Sequence, residues 1–197
     1  MSRLPIGPGV FVPVVGPSGA GKDSLIAYAR QHLAGRPGIV FARRVVTRPS
    51  DPGSESHDTL DEAAFADAEA AGAFALSWRS HGLAYGIPAG VDDAVRAGAA
   101  VVANVSRGVV GDIRMRYAAV LPVLVTVSAD ALAARLAARG RETEEEIGRR
   151  MARNADYAGF EAGGCRVLDN SGPLENAGAE LLRILDEAAR GTAAAGA

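Results

Sequence analysis

The chain has 197 residues, 48% hydrophobic and 22% charged, with a formal net charge of −2. These values suit one ordinary globular domain and exclude a disordered chain, an electrostatic nucleic-acid binder and a surface drawn to anionic membranes. A single cysteine, Cys165, excludes an intramolecular disulfide and a multi-cysteine zinc site, and fits a reducing cytosol. Residues 1–15 are too short and broken in their apolar stretch for a secretory signal, and no apolar run approaches the ~20 residues of a membrane helix.

In chain order, Gly9–Val15 reads as a buried strand, weakened early by Pro13. A glycine loop follows, and Leu25, Ile26, Ala29 and Leu33 then predict a helix over Asp23–His32, stopped at Gly35-Arg36-Pro37-Gly38. Ile39–Val46 reads as a second strand and Pro49–Ser56 as a loop. Thr59 and Glu62 form a capping box that opens an alanine-rich helix ending at Gly72. Phe74–Trp78 and Leu83–Tyr85, joined through His81-Gly82, predict a small hairpin lobe, with Pro88 in the first turn of a helix to Gly98.

Two valine-rich strands, Ala99–Val105 and Val120–Val127, flank a helix over Val109–Tyr117. Ser128 caps a helix through Ala138, Gly140 breaks it, and Thr143 with Glu146 opens another to about Tyr157. A strand over Cys165–Leu168 and an amphipathic helix over Leu174–Ala188 finish the fold, with 191–197 expected as a flexible tail. Alternating strands and helices predict an α/β fold built on a parallel sheet. A single domain is expected over 1–190: a core at 9–44 and 99–190, an inserted lobe at about 45–98 and a lid at about 139–148.

Lys22, the only lysine, completes Gly16-Pro17-Ser18-Gly19-Ala20-Gly21-Lys22, the first seven positions of the phosphate-loop pattern G-x-x-x-x-G-K-[ST]. A compact ammonium bridges β- and γ-phosphate oxygens inside a tight loop where a planar guanidinium is too wide. Strand, loop and helix occur in the order this motif needs, which favours a nucleotide-phosphate site over a glycine-rich turn that binds nothing. The pattern's hydroxyl position holds Asp23, followed by Ser24. Asp23 either approaches Mg²⁺ or serves only the dipole of the helix it opens.

Arg139-Gly140-Arg141 at a helix break, with Arg149 and Arg153 one turn apart, reads as a mobile lid over a polyphosphate, or else as a solvated face shared with Glu142 and Glu144. Arg43-Arg44-Val45-Val46-Thr47-Arg48 closes a predicted strand, so Thr47 and Arg48 either meet an anionic acceptor beyond the sheet or form an ordinary surface pair. Tyr85 and His81 either line the same cleft or pack locally, and Trp78 reads as core. His32 and His57 have no metal-like partner at helical spacing, so side chains alone make no metal site.

With glycine loop, Thr-Arg strand end, small lobe and Arg-Gly-Arg lid in one order, the chain resembles the guanylate-kinase-like branch of the nucleoside-monophosphate kinases over nearly its whole length. Within that branch it resembles the ribose 1,5-bisphosphate phosphokinases: Asp23 after the lysine, Glu55-Ser56-His57 as a Glu-x-His, and Trp78-Arg79-Ser80-His81-Gly82-Leu83-Ala84-Tyr85-Gly86-Ile87-Pro88 match that family. The resemblance implies a P-loop NTPase fold whose parallel sheet is flanked by helices, with an acceptor-binding lobe and an arginine-rich lid. It also implies ATP as phosphoryl donor, Mg²⁺ as cofactor, a sugar phosphate as acceptor and a cytoplasmic setting. By the same resemblance Lys22, Arg139 and Arg149 are catalytic, Gly16, Pro17, Ser18, Gly19, Ala20, Gly21, Lys22, Asp23 and Ser24 hold ATP, and Asp23 contacts Mg²⁺. Thr47, Arg48, Glu55, His57, His81 and Tyr85 bind the acceptor. Guanylate kinases read guanine with a glutamate after a Gly-x-Phe step and a strand-end aspartate; here those places hold Leu76 and, nearby, Asn104. Two other readings remain open: a nucleoside-monophosphate kinase, and a non-catalytic guanylate-kinase-like interaction module.

Overall fold

Two sheets organise the computed structural model, which describes residues 4–48, 57–139, 157, 160 and 164–195. Six parallel strands form the main sheet: β1 (Ile6–Val15), β2 (Ile39–Phe41), β7 (Ala100–Asn104), β8 (Tyr117–Val120), β9 (Val123–Thr126) and β10 (Arg166–Asp169). Their order is β10-β9-β1-β7-β2, with β8 on the early part of β1. The second sheet holds β3 (Arg44–Val46), β4 (His57–Thr59), β5 (Phe74–Ser80) and β6 (Leu83–Pro88), in the order β4-β3-β6-β5.

β1 is apolar almost throughout because the sheet buries both its faces. Val10, Val12 and Val14 pack toward α1 (Lys22–His32) and α6 (Leu174–Ala195), with Leu25, Ile26, Leu181 and Ile184. Phe11 and Val15 alternate to the other face. There they meet α3 (Val91–Arg96) and α4 (Val110–Arg116) through Val91, Val95 and Ile113. Phe11 is fully buried and stacks on Tyr117, ring centroids 4.7 Å apart. Phe11→Ala is expected to cost about 3–5 kcal/mol in urea unfolding, because the sheet around it cannot collapse into the void.

Four boundaries differ from expectation. The stretch Ile39–Val46 divides at Ala42-Arg43: Ile39–Phe41 pairs with β7, whereas Val45 and Val46 pair with Gly86 and Tyr85 of β6. Alternation along a strand does not say which sheet receives it. Of Val120–Val127 only Val123–Thr126 forms β9, while Val120 ends the earlier strand β8, which starts at Tyr117; Leu121-Pro122 separates them, since proline offers no ladder donor and restrains the residue before it. The helix α2 (Glu62–Ala70) is capped by Asp61, whose carboxylate accepts from Ala64 N at 2.7 Å. Thr59, expected as that cap, instead pairs in β4, and its hydroxyl donates to Arg48 O at 3.0 Å. Pro88 lies in β6 opposite Phe74 rather than in a helix.

Elsewhere among the described residues the expected elements are found; the helix expected from Thr143 and the lid beyond Arg139 lie outside them. Ser128 caps α5 (Ala129–Arg139) by accepting from Ala131 N at 3.2 Å. The β5–β6 hairpin turns at His81 and Gly82 with φ of 51° and 75°, the positive values a two-residue hairpin turn requires. Helix α6 ends later than the expected Ala188: it continues to Ala195, so 191–195, expected in a flexible tail, is helical, as its alanines favour. Among the described residues no helix is long and apolar enough to cross a membrane.

Candidate active site

The glycine loop spans the turn from β1 into α1 and is held from below by the sheet. Gly16, Gly19 and Gly21 have φ of 149°, 90° and 88°. A Cβ on Gly16 would lie 2.3 Å from Val125 O of β9, and one on Gly21 would lie 2.4 Å from Asn170 Nδ2. Both backbone conformation and space therefore demand glycine at these two places. Asn170, buried just after β10, donates from Nδ2 to Ala20 O at 2.7 Å. Arg135 of α5 in turn donates from Nη2 to Asn170 O at 2.6 Å. This chain of contacts ties the loop to the helix that leads into the predicted lid.

Lys22 curls back over its own loop, its ammonium donating to Gly16 O at 2.7 Å and Pro17 O at 2.9 Å. Gly21, the N-cap of α1, supplies no side-chain acceptor, so the positive end of the helix dipole faces the loop. Such a curl of amides beside an ammonium is suited to an oligophosphate.

Asp23 opens a second cluster. Asn104 Nδ2, at the end of β7, donates to Asp23 Oδ1 at 2.5 Å, and Arg44 Nη2, at the start of β3, lies 3.6 Å from the same oxygen. The Arg44 guanidinium stands 5.9 Å from the Tyr85 ring centroid, and Tyr85 lies nearly parallel to Trp78 at 5.3 Å and 7°. Trp78, expected as core, is half-buried: it packs against the core cluster of Phe11 and Ile87 and also serves as the floor of this stack. Helix α1, the main sheet and the small sheet thus converge where β1 and β7 end.

Of the expected acceptor residues, Tyr85 enters this cluster. Thr47 is tied to β6, its hydroxyl accepting from Ala84 N at 2.9 Å, and Arg48 beside it is exposed. His57 is buried at the start of β4, where its carbonyl accepts from Arg43 at 3.3 Å. His81 sits at the exposed hairpin turn and, among the described residues, has no part in the Asp23 cluster. Ser24 is exposed on the first turn of α1. Arg139 is the last residue of α5; Glu55, Arg141, Arg149 and Arg153 lie outside the described residues.

Arg44, Arg135 and Asn170 were not among the expected site residues. Arg44 carried a readable signal, an arginine at a position the strand pattern would bury. Arg135 and Asn170 carried none, since one sits in an alanine-rich helix and the other in a polar turn. Among the described residues no group of three or more His, Cys, Asp or Glu is placed to hold a metal.

No protein-family model matches the chain. A solved guanylate kinase from Anaplasma phagocytophilum superimposes with a TM-score of 0.64 at 18% identity, covering 94% of this chain and 88% of that one. Together the glycine loop at the end of the central strand, the side sheet and this likeness define an α/β P-loop protein of the guanylate-kinase-like fold, as the sequence pattern implied.

Identity with curated proteins is much higher. The chain is 53% identical over 187 residues to a "Ribose 1,5-bisphosphate phosphokinase PhnN" of Chelativorans sp. (strain BNC1), covering 94% of this chain and 89% of that protein. Proteins of the same name match at 48% identity from Brucella melitensis biotype 2 (92% and 94% covered) and at 49% from Pseudofrankia inefficax (97% and 98% covered). The chain belongs to the ribose 1,5-bisphosphate phosphokinase family.

Proposed function

We propose that the protein transfers the γ-phosphoryl group of ATP to the 1-phosphate of ribose 1,5-bisphosphate, giving 5-phospho-α-D-ribose 1-diphosphate and ADP. Beyond the family, one observation supports a sugar-phosphate acceptor over guanine. Leu76, in the place of a base-reading glutamate, is packed in the core with Phe11 and Ile87, and Asn104 is committed to Asp23. A site that reads a purine through hydrogen bonds needs polar groups there, and loses orders of magnitude in discrimination without them.

A phosphate oxygen is already ionised near neutral pH, so the nucleophile needs no general base. Catalysis is in-line positioning plus charge stabilisation. Residues Gly16 to Ser24 hold the triphosphate through loop amides and the α1 dipole, and Lys22 meets the charge on the transferring group. Arg139 and Arg149 close over the polyphosphate from the lid, and closure excludes water that would waste ATP. Thr47, Arg48, Glu55, His57, His81 and Tyr85 serve the acceptor side.

Mg²⁺ is the cofactor of this reading, and Asp23 is the residue that would hold it. A single hard carboxylate next to Lys22 fits an ion that takes most of its shell from phosphate and water. When bound, the ion neutralises charge on the β- and γ-oxygens. The setting is the cytosol, where ATP is abundant and Cys165 stays reduced.

One assay tests this reading: protein and MgATP are incubated with ribose 1,5-bisphosphate, with GMP, or with neither, and ADP is followed. ADP should form with the sugar phosphate, together with the diphosphate product seen by phosphorus NMR. ADP with GMP alone would overturn the reading in favour of a monophosphate kinase, and none with either acceptor would favour the interaction module.

A further inference from the structure

We infer that Arg44 is a ligand for a phosphate of the acceptor and sets acceptor specificity, with Asp23 and Tyr85 as the groups that position it. This rests on the proposed function and goes beyond the residues to which the sequence assigned the acceptor. Three observations carry it.

First, Arg44 is 9% exposed, and a buried guanidinium is costly to desolvate unless anions meet it. Asp23 Oδ1, at 3.6 Å, is one anion beside it, and the same oxygen accepts from Asn104 Nδ2, which fixes the carboxylate that faces the guanidinium. Second, the guanidinium is oriented over the Tyr85 ring, itself stacked on Trp78. The ring stack and Asp23 hold the guanidinium in place before a ligand arrives, and a planar fork matches phosphate oxygens better than an ammonium does. Third, the position is right for transfer. Asp23 follows Lys22 directly, so Arg44 stands beside the donor loop, on the side where the small sheet meets the ends of β1 and β7.

Asn104 completes the logic. A carboxylate at this strand end would face Asp23 as a like charge and repel an anionic acceptor. The amide instead donates to Asp23 Oδ1, the oxygen that lies 3.6 Å from Arg44, and adds no negative charge. An acceptor with two phosphates and no base needs added positive charge where a guanine-binding site needs acceptors for N–H groups, and Arg44 provides it.

The test compares wild type, Arg44→Gln and Arg44→Lys, with KM measured separately for ribose 1,5-bisphosphate and for ATP. The Gln variant should raise the acceptor KM by about tenfold or more, the loss of one charge-assisted contact. Its KM for ATP should stay within about twofold, which a merely structural role would not predict. The Lys variant should fall between, keeping the charge but losing the fork. Titration with ATP alone reports folding, and if the Gln variant fails to bind ATP the Lys variant decides. An unchanged acceptor KM, or equal shifts for both substrates, would overturn the role of Arg44 while leaving the function standing. A wild type inert toward ribose 1,5-bisphosphate would overturn the function and this inference together.

Discussion

Lys22→Met should leave a folded protein whose phosphoryl transfer falls by about three orders of magnitude. The ammonium is the one positive charge built into the loop itself, and preorganised charge at a transferring group is worth about 10²–10³ in rate for a single donor. Methionine has nearly the same reach, so packing around the loop survives. What is lost is the pair of hydrogen bonds to Gly16 O and Pro17 O, at about 1 kcal/mol each, a small part of the stability of a domain this size. Single-turnover ADP formation, read beside a thermal melt, separates the two effects. Near-wild-type turnover in a folded variant would remove Lys22 from the mechanism.

Gly16→Ala should have the largest effect on stability among the glycines of the loop. Its Cβ would fall 2.3 Å from the carbonyl oxygen of Val125, a fully buried residue of β9 that pairs with Leu168 of β10. No rotamer relieves a Cβ clash with backbone, and a φ of 149° adds strain for any L side chain. Strain of about 1–3 kcal/mol and a similar overpacking cost together predict a loss of about 3 kcal/mol or more, and loss of ATP binding as the loop shifts. Gly35→Ala is the control, because φ there is 75° and nothing lies within 4 Å of the added atom. It should cost only the backbone strain, about 1 kcal/mol. Equal midpoints for the two variants in urea unfolding would show that contact with the sheet is not what requires glycine at 16.

The glycine loop was legible because it is built from neighbours in the chain. Gly16 to Ser24 lie in one loop and one helical turn, so spacing alone carries their geometry. The Asp23 cluster is assembled from five separated elements, α1, β3, β5, β6 and β7, and only part of it could be read. Tyr85, read as either lining a cleft or packing locally, stands beside Arg44 and Trp78, whereas His81, two residues before Leu83 in the same motif, lies at the turn. Arg44 was passed over in favour of Thr47 and Arg48, because Ile39–Val46 read as one strand that ended at those residues. The break at Ala42-Arg43 moves Arg44 to the first position of a strand in another sheet, where it faces Asp23.

By itself, the sequence determined an α/β chain with a phosphate loop at the end of its first strand and a hairpin lobe, and its motifs resemble a family whose acceptor is not a purine. Short-range rules suffice for the elements, since turn conformation, helix capping and alternation act over a few residues; the acceptor came only with the resemblance. Only the tertiary structure decided which basic residue stands beside Asp23, which amide clamps Ala20, and why Gly16 tolerates nothing larger. Those are distances between residues 23, 44, 85 and 104, or 16 and 125, or 20 and 170, and packing rather than local preference sets them.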